Sequence, residues 1–100
     1  MPRSSTNTAS PIQDAINRRF FIAVERLAAA GDLHSLSGFA ADCGLHASRY
    51  REMRLVYGTE PTGKPSRYMA VETEALYYLV ARYRVNAGWL LTGNGKWRTK

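Results

Sequence analysis

The chain has 100 residues, of which 45% are hydrophobic, and this size suits one folded domain with its own core. Its formal net charge of +6 favours nucleic acid or an acidic surface as a partner, and its single cysteine, Cys43, excludes an internal disulfide. The apolar runs fall well short of the roughly 20 residues that a membrane span needs, and no apolar signal stretch begins the chain, so we expect a cytoplasmic protein without a membrane partner.

The N-terminal part of the chain is expected to be a disordered arm followed by a long helix. Residues 1–9 are polar and show no hydrophobic periodicity. Ser10 and Pro11 then form a helix start signal, because serine caps a helix and proline fits its first turn. Apolar residues follow at helical spacing, namely Ile12, Ile16, Phe20, Val24 and Leu27. Gly31 ends this first helix.

Two short helical segments on either side of a glycine form a helix-turn-helix pattern. The first segment, residues 36–43, has Ser35 as its predicted cap. Gly44 follows, the residue type that most readily adopts the left-handed conformation at the end of a helix. The second segment, residues 47–56, buries Tyr50 and is expected to turn four side chains outward: Ser48, Arg49, Arg51 and Glu52.

A loop and two further helices are predicted for the rest of the chain. Residues 58–67 hold two prolines and two glycines, a composition typical of a loop. Residues 68–71 are predicted to be extended. Thr73 is the expected cap of a fourth helix that runs to about Arg84. Asn86 is the expected cap of a last, short helix.

Two stretches of the chain carry a family pattern. The first stretch, residues 39–50, begins with the apolar residue Phe39 and with Ala40. Gly44 follows between the apolar residues Cys43 and Leu45, and Tyr50 is a later apolar anchor. Residues 83–93 include Val-Asn, then Trp-Leu-Leu, then Gly. Together they resemble the lambda-repressor-like (Cro/CI, XRE-type) helix-turn-helix domain over roughly residues 18–95. The resemblance implies an all-α domain of five helices, here residues 10–95, followed by a basic tail at 96–100.

The resemblance also implies binding to double-stranded DNA, with the second helix of the motif in the major groove and its first residues at the base edges. Carried onto this chain, the DNA-binding positions are Ala47, Ser48, Arg49, Arg51, Glu52 and Arg54. Arginine can donate two hydrogen bonds to guanine, glutamate can accept one from cytosine, and alanine can touch the thymine methyl group. The chain departs from the family at Leu36, where glutamine is frequent, and at Arg54, where glutamate is frequent.

The loop at residues 58–67 is longer than usual for this family and directly follows the recognition helix. Its cations Lys64 and Arg67 are opposed only by Glu60. We therefore expect the loop to hold DNA phosphates, and a solvated linker is the alternative.

These features predict a bacterial or phage-type transcriptional regulator, most simply a repressor that occupies its DNA site, and not an enzyme. We expect no cofactor, no metal and no small-molecule substrate. We also expect a weak homodimer, because one recognition helix reads few base pairs, with Tyr77 and Tyr78 as candidate contacts. The alternative is a protein-interaction module on the same fold, such as an antitoxin or an adaptor in a phage or mobile-element complex.

Three weaker signals point to other chemistry. Residues 58–65 nearly match the phosphate-loop pattern G-x-x-x-x-G-K-[ST], but Pro65 replaces the hydroxyl residue that binds magnesium. Cys43 and His46 are three residues apart, yet Cys43 falls on the predicted apolar face and is expected to be a small core residue. The tyrosines of the fourth helix could stack single-stranded bases, but helical spacing places Tyr83 in the core.

Overall fold

The computed structural model describes residues 9–99, so Lys100 and residues 1–8, which make up nearly all of the predicted disordered arm, lie outside the described residues. The described part is all-helical, as predicted, with five helices and no strand: α1 (Pro11–Ala29), α2 (Leu36–Asp42), α3 (Ala47–Tyr57), α4 (Thr73–Tyr83) and α5 (Ala87–Thr92). None of these five helices is long and apolar enough to cross a bilayer.

The helix ends follow the predicted caps with one exception. The side-chain oxygens of Ser10, Ser35 and Asn86 each accept a backbone hydrogen bond from the first turn of the helix that follows, at 3.1, 2.9 and 2.9 Å. The prediction that Thr73 caps α4 is wrong by one residue. Glu72 occupies the cap position, its side chain makes no cap hydrogen bond, and Thr73 is the first helical residue.

The core is organised around Phe20 of α1. Its ring lies 4.9 Å from the ring of Phe21, 5.9 Å from that of Phe39 on α2 and 5.5 Å from that of Tyr50 on α3, measured between centroids. Aromatic pairs at these separations add to the stability that their burial provides. Two members of the predicted apolar stripe lie outside the core: Ile12, which is 73% exposed in the first turn of α1, and Ile16, which is half-buried.

The connection between α3 and α4 is attached to α1 by one buried polar side chain. The amide nitrogen of Asn17 donates to the carbonyl oxygen of Met69 at 2.9 Å, and its amide oxygen accepts from the backbone N–H of Val71 at 3.0 Å. Gln13 donates to the same oxygen at 2.9 Å. Asn17 is fully buried. Residues 68–71 form no helix or strand, so Asn17 supplies hydrogen bonds that regular structure would otherwise provide.

The predicted basic tail packs back onto the domain as far as residue 99. The N–H of Asn86 donates to the carbonyl of Trp97 at 2.8 Å, and the N–H of Thr99 donates to the carbonyl of Arg84 at 2.9 Å. The guanidinium of Arg98 pairs with Asp32 at 2.7 Å. The packed part of the chain therefore extends beyond the predicted domain end at residue 95.

We expect Asn17→Ala to lower the free energy of unfolding by about 2–6 kcal/mol, because two backbone groups lose their partners at about 1–3 kcal/mol each. Gln13→Ala is the matched control. It removes only a part-buried hydrogen bond to Asn17, so a loss below about 1 kcal/mol is expected. Urea denaturation of both variants measures the difference, and equal losses would contradict the role given to Asn17.

Candidate nucleic-acid interface

Helices α2 and α3 lie on either side of a short turn, at the positions of the two helical segments predicted from the sequence. Helix α2 ends at Asp42, and α3 begins at Ala47. Gly44 between them has a φ of +71°, a conformation in which a side chain would be strained. The N–H of Leu45 donates to the carbonyl of Ala40 at 2.8 Å, which closes the turn, and α2 packs chiefly against α3.

Helix α3 presents a buried face and a polar face. Tyr50, Met53 and Tyr57 are buried in the core. Three polar side chains of the helix are exposed: Ser48 lies opposite Tyr50, whereas Arg51 and Arg54 lie progressively closer to the buried face. We call these three residues the outward strip of α3. Ala47, at the first position of the helix, is half-buried.

Arg49 does not point outward as predicted. Its Nη2 donates to the carbonyl oxygen of Ala70 at 2.6 Å, and its guanidinium lies 4.7 Å from the centroid of the Tyr68 ring. The Nε atom of Arg49 is buried and makes no hydrogen bond. Helical periodicity placed Arg49 beside the exposed residues, but residues 68–70 return along that side of α3 and cover it.

The carboxylate of Glu52 also accepts hydrogen bonds from the chain that follows α3. One of its carboxylate oxygens accepts from the backbone N–H of Arg67 at 2.7 Å and from the Ser66 hydroxyl at 3.2 Å. The other oxygen accepts from the Arg67 guanidinium at 3.0 Å. These hydrogen bonds from Arg67 hold the pKa of the Glu52 carboxyl below its ordinary value. The structure thus brings together two predicted site residues, Glu52 and Arg67, and pairs them with each other.

The remaining predicted cations are accessible. Nη1 of Arg51 donates to the Ser37 hydroxyl on α2 at 3.1 Å, and this contact is exposed. Within residues 9–99, neither Arg54 nor Lys64 has a carboxylate within salt-bridge distance, and both side chains are exposed. Arg67 keeps 78% of its side chain exposed although it pairs with Glu52. The surface beside α3 therefore presents accessible cations, although Glu25 and Glu60 line the same depression as Arg54.

Three site residues were missed by the sequence analysis. Asn17 binds the connection between α3 and α4. Tyr68 covers Arg49, and Ser37 accepts the hydrogen bond that orients Arg51. A polar amide beside the apolar stripe of α1 was a usable signal for Asn17, because a buried asparagine needs partners. No sequence signal pairs Tyr68 with Arg49, since that contact depends on how the connection folds.

The geometry also gives little support to the signals of a phosphate loop and of Cys43 with His46, which are already weak in the sequence. Residues 58–65 follow a helix, whereas phosphate loops follow a strand. Cys43 is half-buried at the end of α2, and burial raises the pKa of its thiol, which disfavours the reactive thiolate. In the part of the chain that the structure describes, no three His, Cys, Asp or Glu side chains are grouped so that they could hold a metal ion.

Comparisons of the chain with protein-family models, curated proteins and solved structures find no match. Function is therefore inferred from the residues and their geometry.

Arg49 is covered by the chain after α3 and Arg51 is exposed, so their removal should affect stability differently. Arg49→Ala should lower the free energy of unfolding by about 1–3 kcal/mol, because the carbonyl of Ala70 loses its donor and Tyr68 loses its packing partner. Arg51→Ala removes an exposed contact and should change stability by no more than about 0.5 kcal/mol. Thermal or urea denaturation measures both, and equal values for the two variants would show that Arg49 is as free as Arg51.

The Glu52–Arg67 pair predicts a pH effect of known sign. Because the folded-state pKa of Glu52 is lowered, the pair stabilises the fold above the ordinary carboxyl pKa, and this contribution is lost as the pH falls through the lowered value. An NMR titration of the Glu52 carboxyl should show the lowered pKa, and Arg67→Ala should return it towards the ordinary range. Lys64→Ala is the control and should leave the titration unchanged, so a similar rise in that variant would refute the specific pairing.

Proposed function

We propose that this protein binds double-stranded DNA sequence-specifically through α3 and acts in the cytoplasm as a transcriptional regulator, most simply a repressor. The observation that carries the proposal is the outward strip of α3, whose three polar side chains are exposed while Tyr50 of the same helix is buried, in a helix that follows α2 across the Gly44 turn. The resemblance of residues 39–50 and 83–93 to lambda-repressor-like domains supports the same fold and the same use of α3. In such domains the second helix of the motif lies in the major groove.

In this proposal, Ser48 and Arg51, the first two residues of the outward strip, contact the base edges together with Ala47. Arg51 is exposed and can donate two hydrogen bonds to a guanine. It needs to give up only its exposed contact with Ser37, which water or DNA replaces easily. Ser48 can donate or accept at a base edge, and the methyl group of Ala47 can contact a thymine. Arg49 and Glu52 instead fix the chain beside α3 and act through it.

The phosphate contacts of the proposal fall to Arg54, Lys64 and Arg67. Arg67 fits this role because its guanidinium is largely exposed and has more N–H donors than its pairing with Glu52 uses. Contacts to phosphate fix the register of a protein on the duplex and carry no sequence information. They release counterions from the DNA, so binding should weaken as salt rises.

A groove between α4 and α5 favours a second candidate function, a protein-interaction module such as an antitoxin or a phage adaptor. The groove has a volume of about 280 Å³ and is lined mainly by the apolar side chains of Leu76, Tyr77, Val80, Leu90 and Leu91. Tyr77 is 62% exposed and Leu91 is 48% exposed. For a DNA-binding protein, the fitting occupant is a second copy of this chain, because two recognition helices read enough base pairs for specificity.

Selection of bound sequences from random duplex DNA tests the proposal. We expect enrichment of a defined site that contains an inverted repeat. Arg51→Ala should relax the preference at one position per half-site, with a loss of about 1–3 kcal/mol of discrimination. Lys64→Ala should weaken binding to all duplexes alike and reduce the slope of log affinity against log salt by about one unit.

Arg82→Ala is the matched control for this selection, because Arg82 is an exposed arginine on α4 whose guanidinium lies over the Tyr78 ring. It should leave the selected sequence unchanged. If the folded wild-type protein enriches no sequence, or if Arg51→Ala and Arg82→Ala select the same site with the same affinity, α3 does not read DNA and the protein-interaction function becomes the better explanation.

A further inference from the structure

A cationic, aromatic groove lies where the C-terminal segment crosses α1 and α5. It has a volume of about 520 Å³ and is lined by Arg26, Trp89, Gly95, Lys96, Trp97 and Arg98. None of these six residues is acidic. We call this feature the tryptophan groove. Its volume falls in the range of about 300–1,000 Å³ that is usual for binding sites of small ligands.

The groove combines flat π surfaces with charge that the fold leaves available. The guanidinium groups of Arg26 and Arg98 lie 5.6 and 5.5 Å from the ring centroid of Trp97. Arg98 is committed to the fold, because it pairs with Asp32 and donates to the carbonyl of Tyr83. Arg26 and Lys96 are exposed, and among the described residues their side chains make no hydrogen bond or ion pair. Their charges can therefore meet an anion.

The tryptophan groove shares no lining residue with the outward strip of α3. Arg26 lies on the side of α1 that meets the C-terminal segment. Its neighbour Glu25, whose carboxylate accepts from the Thr59 hydroxyl at 2.8 and 2.9 Å, lines a depression together with Arg26 and Thr59, so the groove at Arg26 adjoins the chain after α3. A ligand confined to the outward strip of α3 therefore leaves Trp89 and Trp97 uncovered.

We propose that the tryptophan groove binds single-stranded nucleic acid, with a phosphate on Arg26 and Lys96 and a base stacked against the aromatic and guanidinium surfaces. Proteins that hold single strands combine a positive groove with aromatic side chains on which bases stack. The bases of a duplex are already stacked inside the helix, so a duplex could use only the charges of this groove. This inference goes beyond duplex reading by α3 and does not depend on it.

Intrinsic fluorescence reports on the groove directly, because the two tryptophans of the chain are Trp89 and Trp97 and both line it. The full chain is titrated with a single-stranded thymidine oligonucleotide of about eight nucleotides, a length within the usual site size. We expect saturable quenching. The double variant Arg26→Ala and Lys96→Ala should lower the affinity about tenfold or more, as expected when phosphate contacts are lost. Circular dichroism checks that the variant is folded.

Two comparisons keep the test specific. Arg51→Ala should leave the titration unchanged, since Arg51 lies on α3. A glutamate peptide of the same charge as the oligonucleotide should quench far less, because it has no bases to stack. The inference is overturned if the oligonucleotide does not quench, if the double variant binds as tightly as the wild type, if Arg51→Ala abolishes binding, or if the peptide binds equally well. Duplex selection through α3 can succeed or fail independently of each of these results.

Discussion

Asn17 places a side-chain amide inside the core, where a polar group is tolerated only if its hydrogen bonds are made. Its partners are the backbone of Met69 and Val71, more than fifty residues away in sequence. Asn17 therefore attaches the part of the connection that contains Met69 and Val71 to α1. A hydrophobic residue of similar size would pack in the same space, but it would leave two backbone groups without partners.

The same connection is also attached to α3, and these contacts define the surface that α3 presents. The Tyr50 hydroxyl donates to the Glu72 carboxylate at 2.8 Å and accepts from the N–H of Glu72 at 3.1 Å. Arg49 holds Ala70, and Glu52 holds Arg67. Residues 66–72 thus form one side of the α3 surface before any ligand arrives. A surface that is already ordered loses less conformational entropy when it binds.

The sequence predicted the helices well because local chemistry determines their ends. Ser10, Ser35 and Asn86 cap as serine and asparagine do, and Gly44 makes the turn that its lack of a side chain permits. The site was predicted less completely. Helical periodicity identifies the side of α3 on which Arg49 lies, but it does not say which part of the chain returns over that side. That information resides in long-range contacts, such as that of Arg49 with Tyr68, which have no local signature.

The central structural claim is that residues 66–72 are a fixed part of the α3 surface in the free protein. Native-state hydrogen exchange of the Val71 amide tests it most directly, because that N–H is bonded to the buried oxygen of Asn17. We expect Val71 to exchange as slowly as the amides of α1, and therefore only when the whole domain unfolds. Exchange of Val71 as fast as that of Lys64 in the exposed loop would show that the connection opens on its own and is not a fixed part of the α3 surface.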